Sequence, residues 1–592
     1  MLELNRAGTP PWRAVRQLQR FCDVIQKTNL HRKRDFALST TPQLISPAHR
    51  VAWGILIVST LYVCYFRNLD VIGLVGPDEP RYAWIARDMA ESGDWITPRL
   101  YGRPWFEKPP LLYWGGAIFF KLMPDRPEVA GRLPSAISAL LATLALAWLA
   151  WRTYGEQCAR WLLLLLPTSV GMIGFSHACA TDMPFASMLT VALVCAAVML
   201  GLVPASEDTP ILPRTPWAAI LLFGFFLGLA VLAKGPAALL LTGGAVFFWA
   251  LFNKRWSDAF RLFHPVSIAV FLLTALPWYI LCARRNPDFF RIFIIEHNFK
   301  RYFTPEFQHI QPFWFYGPIL LIAFLPWITI LVWSAVSRIR KRPSKPLTLF
   351  LISWSAFCIV FFSISQSKLP GYILPAIPAI GLLLARAVQS RHPSQTTTLR
   401  IFAAAGSLLF ALSAFFFFKL NKQSYLNDKS GEAYAVLSLC FAAVNLFLFF
   451  VKQNTAKTEV LPVSMLTAVP LLVALCFAPF FVTSSFAYDP SGKTLADEIE
   501  RPTVRATNVY AGPMNRGKRY SLNFYLNEEI SDWDPAHPNV GLLVLQRQNC
   551  QELVPAPYSC TSSDWLEGAG AYLYSVTLPD SLGGADGRRQ PK

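Results

Sequence analysis

Thirteen stretches of 16 to 27 consecutive residues contain no Asp, Glu, Lys or Arg, each long enough to cross a hydrocarbon core about 30 Å thick. They cover residues 51–66, 133–150, 161–178, 183–203, 216–233, 235–252 and 265–282, then 312–336, 347–363, 369–385, 401–418, 433–451 and 460–486. Charged residues make up 15% of the chain, against about 25% in a soluble domain. With 54% apolar residues and a mean hydropathy of +0.37, the composition excludes a soluble enzyme, a disordered tail and a collagen-like fibre. The expectation is a polytopic, all-α membrane protein.

The formal net charge is +18. In a membrane chain an excess of cations suggests cytoplasmic loops facing anionic lipid, and no nucleic-acid-binding pattern is present. With the N-terminus cytoplasmic, the inner loops carry Arg152 and Arg160, then Lys254, Arg255 and Arg261, then the cluster from Arg338 to Lys345. The basic segment 1–50 agrees with that orientation and lacks the pattern of a signal peptide. Leu111 to Phe120 is apolar but has ten residues, too few to span, and is expected at the interface. An odd number of spans carries 487–592 outside, where strand-like runs at Asn508–Ala511 and Val540–Leu545 and a helix-like run at Lys493–Glu500 predict a small α/β domain. The expected organisation is therefore a basic extension (1–50), a membrane domain (51–486) with long outer loops at 67–132 and 283–311, and the α/β domain. Nine of the eleven cysteines lie in or near apolar stretches. Cys550 and Cys560 stand apart in the polar C-terminal region and could close a short disulfide loop in an oxidising compartment.

The span interiors hold no ionisable side chain of the kind a coupled transporter needs near the midplane, so chemistry is expected at the outer helix ends. The two long outer loops are rich in Arg and Lys, which reads either as a solvated surface or as a pocket for phosphate oxygens. Just after the first span, GPDEPRYAWIARDM presents Asp78 and Glu79. Asp78 could equally cap the helix that Pro80 starts. Glu107 and Lys108 precede the interfacial run, where a lysine could also simply snorkel.

The series PDEPRYAWIARDM, GDWITPRLYGRPWFEKPPLLYW, ATDMP, AKGP, EHNFKRY and SKLPGYILP, in that order between Gly76 and Pro375, resembles the bacterial aminoarabinose lipid A transferases, relatives of the protein O-mannosyltransferases. The resemblance implies a GT-C glycosyltransferase fold of about thirteen spans, an undecaprenyl-phosphate-linked sugar donor, and a lipid A or lipopolysaccharide acceptor at the periplasmic face of the bacterial inner membrane. The basic N-terminal extension departs from the family pattern. Carried over by motif, Asp78 and Asp182 are catalytic carboxylates with Glu79 beside them. Lys108, Arg301 and Tyr372 hold the donor phosphate, with Arg81, Tyr82, Lys234 and Lys368 as further candidates. Glu107 and His297 resemble a pair able to hold zinc, although no cofactor is required by the reaction. Lys234 and Lys368 could also be interfacial anchors, and Asp182 a helix cap.

Glycosyl transfer develops positive charge on the sugar and negative charge on the departing phosphate, which is why carboxylates and cations are needed together. Other readings are transfer of a different sugar to lipopolysaccharide core, O-mannosylation of protein, and a lipid flippase.

Overall fold

The computed structural model describes residues 47–203, 216–300, 302, 310–338, 346–389, 404, 406–408, 410–415, 428–450, 490–500, 508–546, 550–566 and 571–578. The expected span 460–486, most of the basic extension and Arg301 lie outside them. Contacts divide the chain into two units, Met1–Ile55 and Leu56–Lys592. The first contributes the opening turns of α1 (Pro47–Tyr65), and every other element belongs to the second.

Among the described residues six helices are long and apolar enough to cross a membrane, or seven if one bent pair is a single span. These are α4 (Pro127–Tyr154), α7 (Asp182–Met199), α8 (Trp217–Lys234), α11 (Pro265–Arg285), α14 (Pro346–Ile364) and the stretch Pro370–Gln389, whose regular part is α15 (Ile377–Gln389). The bent pair is α5 (Glu156–Leu165) and α6 (Val170–Ser176), set at 64°. Shorter apolar helices include α9 (Ala237–Asn253) and α12 (Tyr316–Ala323), and α10 (Trp256–Ala259) is a single turn. Helices α13 (Ile328–Arg338) and α16 (Asp428–Phe450) are further apolar helices.

Among the described residues, two of the expected spans break into separate helices. The run 161–178 breaks between α5 and α6 around Pro167, and 312–336 breaks between α12 and α13 around Pro326. Proline lacks the N–H that would continue the ladder and its ring crowds the preceding turn, a constraint that a count of uncharged residues ignores. Helix α7 sits deepest, with 89% of its apolar window buried, whereas α11 turns most of its surface outward, with 22% buried.

The loop after α1 folds into its own layer. Helix α2 (Asp78–Ser92) buries Tyr82, Ala83, Ile85, Ala86 and Met89, an i, i+3, i+4 stripe. That stripe packs on Leu112, Tyr113, Ala117 and Phe120 of α3 (Leu111–Leu122). Between α2 and α3 runs a short antiparallel hairpin of β1 (Arg99–Leu100) and β2 (Arg103–Pro104).

The C-terminal α/β fold has a five-stranded sheet in the order β4-β3-β5-β7-β6, formed by β3 (Val509–Ala511), β4 (Ser531–Asp532), β5 (Gly541–Leu545), β6 (Ser559–Leu566) and β7 (Ala571–Thr577). Strand β3 is parallel to β4 and β5, and β7 is antiparallel to β5 and β6. Alternation along β5 sends Val544 toward α17 (Lys493–Ile499) and α18 (Arg516–Leu526), and Leu543 and Leu545 to the other face with Trp533, Val554 and Val576. Cys550, in α19 (Cys550–Leu553), and Cys560 are joined by a disulfide.

Candidate active site

Adjacent carboxylates at the start of α2 have opposite surroundings. Glu79 points inward and is 7% exposed. It accepts hydrogen bonds from the Val75 N–H at 2.9 Å, the Cys179 N–H at 2.7 Å, and Arg132 Nε and Nη2 at 3.0 and 2.8 Å. Arg132 spends its remaining donors on the carbonyls of Leu69, Ile72 and Gly73. This buried pair is saturated on both sides, as a charge out of water must be. It ties the segment before α2 to the segment just before α7, and so fixes Asp78 relative to Asp182.

Asp78 is the first residue of α2, with no side-chain cap on the preceding Pro77. Its carboxylate is 48% exposed and pairs with Arg81 one turn along. Arg81 is a hub with a 6% exposed side chain. It donates to the Pro77 carbonyl at 2.6 Å, to Asp78, and to Glu107 Oε2 at 3.2 Å. Aromatic rings of Trp105 at 5.4 Å and Tyr520 at 5.3 Å cover its guanidinium. Burial alone would lower its pKa, but the facing Glu107, Tyr82 and Asp78 more than offset this and hold it above the ordinary arginine value. The other oxygen of Glu107 receives Lys108 Nζ at 3.3 Å, so one carboxylate serves two cations. Tyr82 is buried against Tyr113, ring centroids 5.8 Å apart.

A second group lies at the start of α7. Asp182 pairs with Lys234, the last residue of α8, at 2.5 Å. Lys234 also sits over the Tyr372 ring at 4.5 Å and the Phe185 ring at 5.7 Å. Gly371 makes this possible: a Cβ there would lie 2.6 Å from Asp182 Oδ1, so only glycine lets the chain before Tyr372 pass the carboxylate. Lys368, four residues earlier than Tyr372, is buried and donates to the Ser365 carbonyl at 2.6 Å within its own loop. Burial lowers its pKa.

His297 lies on the helical stretch Arg291–Lys300. Among the described residues no three His, Cys, Asp or Glu side chains gather to hold a metal ion, and Glu107 is committed to Arg81 and Lys108. Among the described residues, then, no zinc-ligand set assembles around Glu107.

Two participants have no signature in the sequence: Arg132 holds Glu79, and Tyr520 covers Arg81 from α18, opposite Trp105 of the quoted motif. Helix α18 reaches the site because Gly517 rests on the backbone of Gly76: a Cβ at 517 would stand 2.9 Å from the Gly76 carbonyl carbon. Ser521 donates to the Leu74 carbonyl, the Leu74 N–H donates to the Tyr525 hydroxyl, and that hydroxyl donates to Glu128 at 2.9 Å. Phe524 enters the core beneath α2 and α3. Tyr101, hydrogen-bonded to Asn523 at 3.1 Å, has its hydroxyl pKa pushed up to about 12, chiefly by burial.

Apolar spanning helices with acid–base groups beside an α/β domain define a polytopic membrane protein, and its likeness to solved structures gives it the GT-C glycosyltransferase fold. Residues 51–293 match the dolichyl-phosphate-mannose-protein mannosyltransferase family. The chain is similar to undecaprenyl phosphate-alpha-4-amino-4-deoxy-L-arabinose arabinosyl transferases. It is 34% identical to that of Serratia proteamaculans over 337 residues, 56% of this chain and 59% of the relative. Against that of Edwardsiella ictaluri it is 32% identical over 350 residues, 58% and 61% respectively. The chain thus spans about three fifths of the length of the curated relatives it matches. The crystal structure of ArnT from Cupriavidus metallidurans bound to undecaprenyl phosphate is similar over 89% of this chain and 98% of that one, at 25% identity and a TM-score of 0.69.

Proposed function

We propose that the protein transfers 4-amino-4-deoxy-L-arabinose from undecaprenyl phosphate to a lipid A phosphate, at the periplasmic face of a bacterial inner membrane. The observation that carries this reading is that the hydrogen bond from the Cys179 N–H to Glu79 ties together the segments bearing two acid–base groups, Asp78–Arg81–Glu107–Lys108 and Asp182–Lys234–Tyr372. A polyprenyl phosphate must keep its tail in the bilayer while its head meets cations, and these segments offer both.

In this reading Lys108, Lys234 and Tyr372 receive the leaving phosphate, joined by Arg301 on the strength of the family motif. Cations in a partly desolvated pocket stabilise the charge that builds as the sugar departs. A lipid A phosphate is already ionised near neutral pH, so the acceptor needs positioning rather than a general base. The half-exposed Asp78 is then the carboxylate that meets the aminosugar, holding its cationic amine and steadying the ring charge. Asp182 orients Lys234. Glu79, with Arg132, is assigned a positioning role in place of the catalytic one that its place in the motif suggests, because every lone-pair direction is already occupied. Tyr82 contributes packing under Arg81, and Lys368 holds its own loop.

The test is transfer by the purified full-length protein from undecaprenyl-phosphate aminoarabinose to lipid A, followed by mass spectrometry of the product. A lipid A species heavier by one aminosugar is the expected result. Sugar appearing on peptide would favour the mannosyl-type reading, and donor moving between leaflets without transfer would favour a flippase.

A further inference from the structure

The far end of helices α7 and α8 carries a cavity that the chemistry above does not use. It measures about 1110 Å³ and opens between α4, α7 and α8, with the segment from Phe260 to Pro265 along one side. Helix α7 has 18 residues, so at 1.5 Å per residue its inner end lies about 27 Å from Asp182. One phosphate headgroup cannot serve both ends.

The lining is apolar through most of its depth, built from residues such as Val194 and Leu222, and cationic where Arg152 and Arg261 stand. Arg152 is in the last turn of α4 and has no ion-pair partner among the described residues. Arg261 and Arg255 share the single carboxylate of Asp258, at 2.9 and 2.5 Å, so among the described residues two arginines face one carboxylate at the rim. Phe260 and Phe263 are 68% and 69% exposed on the short segment that carries Arg261. Trp148 and Trp217, which also line the cavity, are 42% and 51% exposed, and tryptophan is enriched at the level where headgroups meet acyl chains. A basic pocket between spanning helices, apolar below, is the arrangement that retains an anionic lipid.

We propose that this cavity is a binding site for an anionic glycerophospholipid, with its phosphate between Arg152 and Arg261 and its acyl chains against the inner halves of α7 and α8. Such a site depends only on the spanning fold and is independent of the proposed transferase activity.

The experiment places the full-length protein in nanodiscs containing a photoactivatable acyl-chain probe, either phosphatidylglycerol or phosphatidylethanolamine, and maps labelled peptides by mass spectrometry. Labelling of Val191–Met199 and Trp217–Leu222 should be at least fivefold stronger with phosphatidylglycerol. Combining Arg152→Ala with Arg261→Ala should erase that preference, and combining Arg152→Lys with Arg261→Lys should retain most of it. Unchanged background labelling by phosphatidylethanolamine reports that the alanine variant is folded. Equal labelling of the groove by both lipids, no labelling of it by either, or displacement of the probe by equimolar undecaprenyl phosphate would each overturn the proposal.

Discussion

Glu79 and Asp78 share a motif and differ in what water can reach. Removing Arg132 would strand the Glu79 carboxylate among buried groups, and breaking a buried pair from one side costs roughly 3–5 kcal/mol. Arg132→Met is therefore expected to lower the thermal unfolding temperature in detergent sharply and to reduce the yield of folded protein. Asp78→Asn should leave unfolding almost unchanged, because the carboxylate is 48% exposed, while cutting turnover on the order of 100-fold, the scale of losing one well-placed electrostatic group. Measuring unfolding and turnover on both variants separates the roles, and equal unfolding temperatures would sink the assignment of Glu79. The motif made Asp78, Glu107, Lys108 and Asp182 legible as residues of interest. It could not reveal that Glu79 is saturated, since its partners lie 53 and 100 positions away, and only the folded chain brings them within reach.

At the level of elements, local pattern was readable wherever one period dominated. The ten-residue apolar run expected at the interface is α3, and the helix expected at Lys493–Glu500 is α17, Lys493–Ile499. The strands expected at Asn508–Ala511 and Val540–Leu545 are β3 and β5, each one residue shorter. Helix α18 was not legible, because RGKRYSLNFYL mixes cations with aromatics and its apolar side chains pack against two different partners, the sheet and the layer of α2 and α3. That double packing is what brings Tyr520 over Arg81. A cation–π contact between partly buried groups contributes roughly 1–2 kcal/mol, so Tyr520→Leu is expected to lower turnover about 5- to 30-fold, with the KM for the donor little changed. Tyr520→Phe keeps the ring and should recover most of the loss. A phenylalanine variant as impaired as the leucine one would instead implicate the hydroxyl. The Cys550–Cys560 disulfide closes a loop ten residues apart in sequence, and such a cross-link contributes about 3 kcal/mol in the chain-entropy picture. Reduction should make the C-terminal domain of the full chain more sensitive to protease while the spanning helices stay protected.

For the whole molecule, the distribution of cations poses a question that the ion pairs answer. The loops holding the acid–base groups are rich in arginine, which counted alone would oppose placing them outside. Yet Arg81, Arg103, Arg126, Arg132 and Arg285 are each paired with a carboxylate, those of Asp78, Glu529, Asp70, Glu79 and Asp94 respectively. Those charges are spent within the fold; at the other end Arg160 pairs with Glu156, and Arg255 and Arg261 share Asp258, while Arg152 and Lys254 have no ion pair among the described residues. The orientation argued from sequence is compatible with this pairing. It predicts opposite reactivity for two introduced thiols. In whole cells Arg103→Cys, at a side chain 79% exposed, should react with a membrane-impermeant maleimide, and Lys254→Cys only after permeabilisation. The background is favourable, since of the seven free cysteines among the described residues six are buried and Cys440 is half-buried, and the parent chain provides the blank. Labelling of Lys254→Cys in intact cells, with Arg103→Cys protected, would put Asp78 and Lys108 on the cytoplasmic side, where a periplasmic acceptor could not meet them.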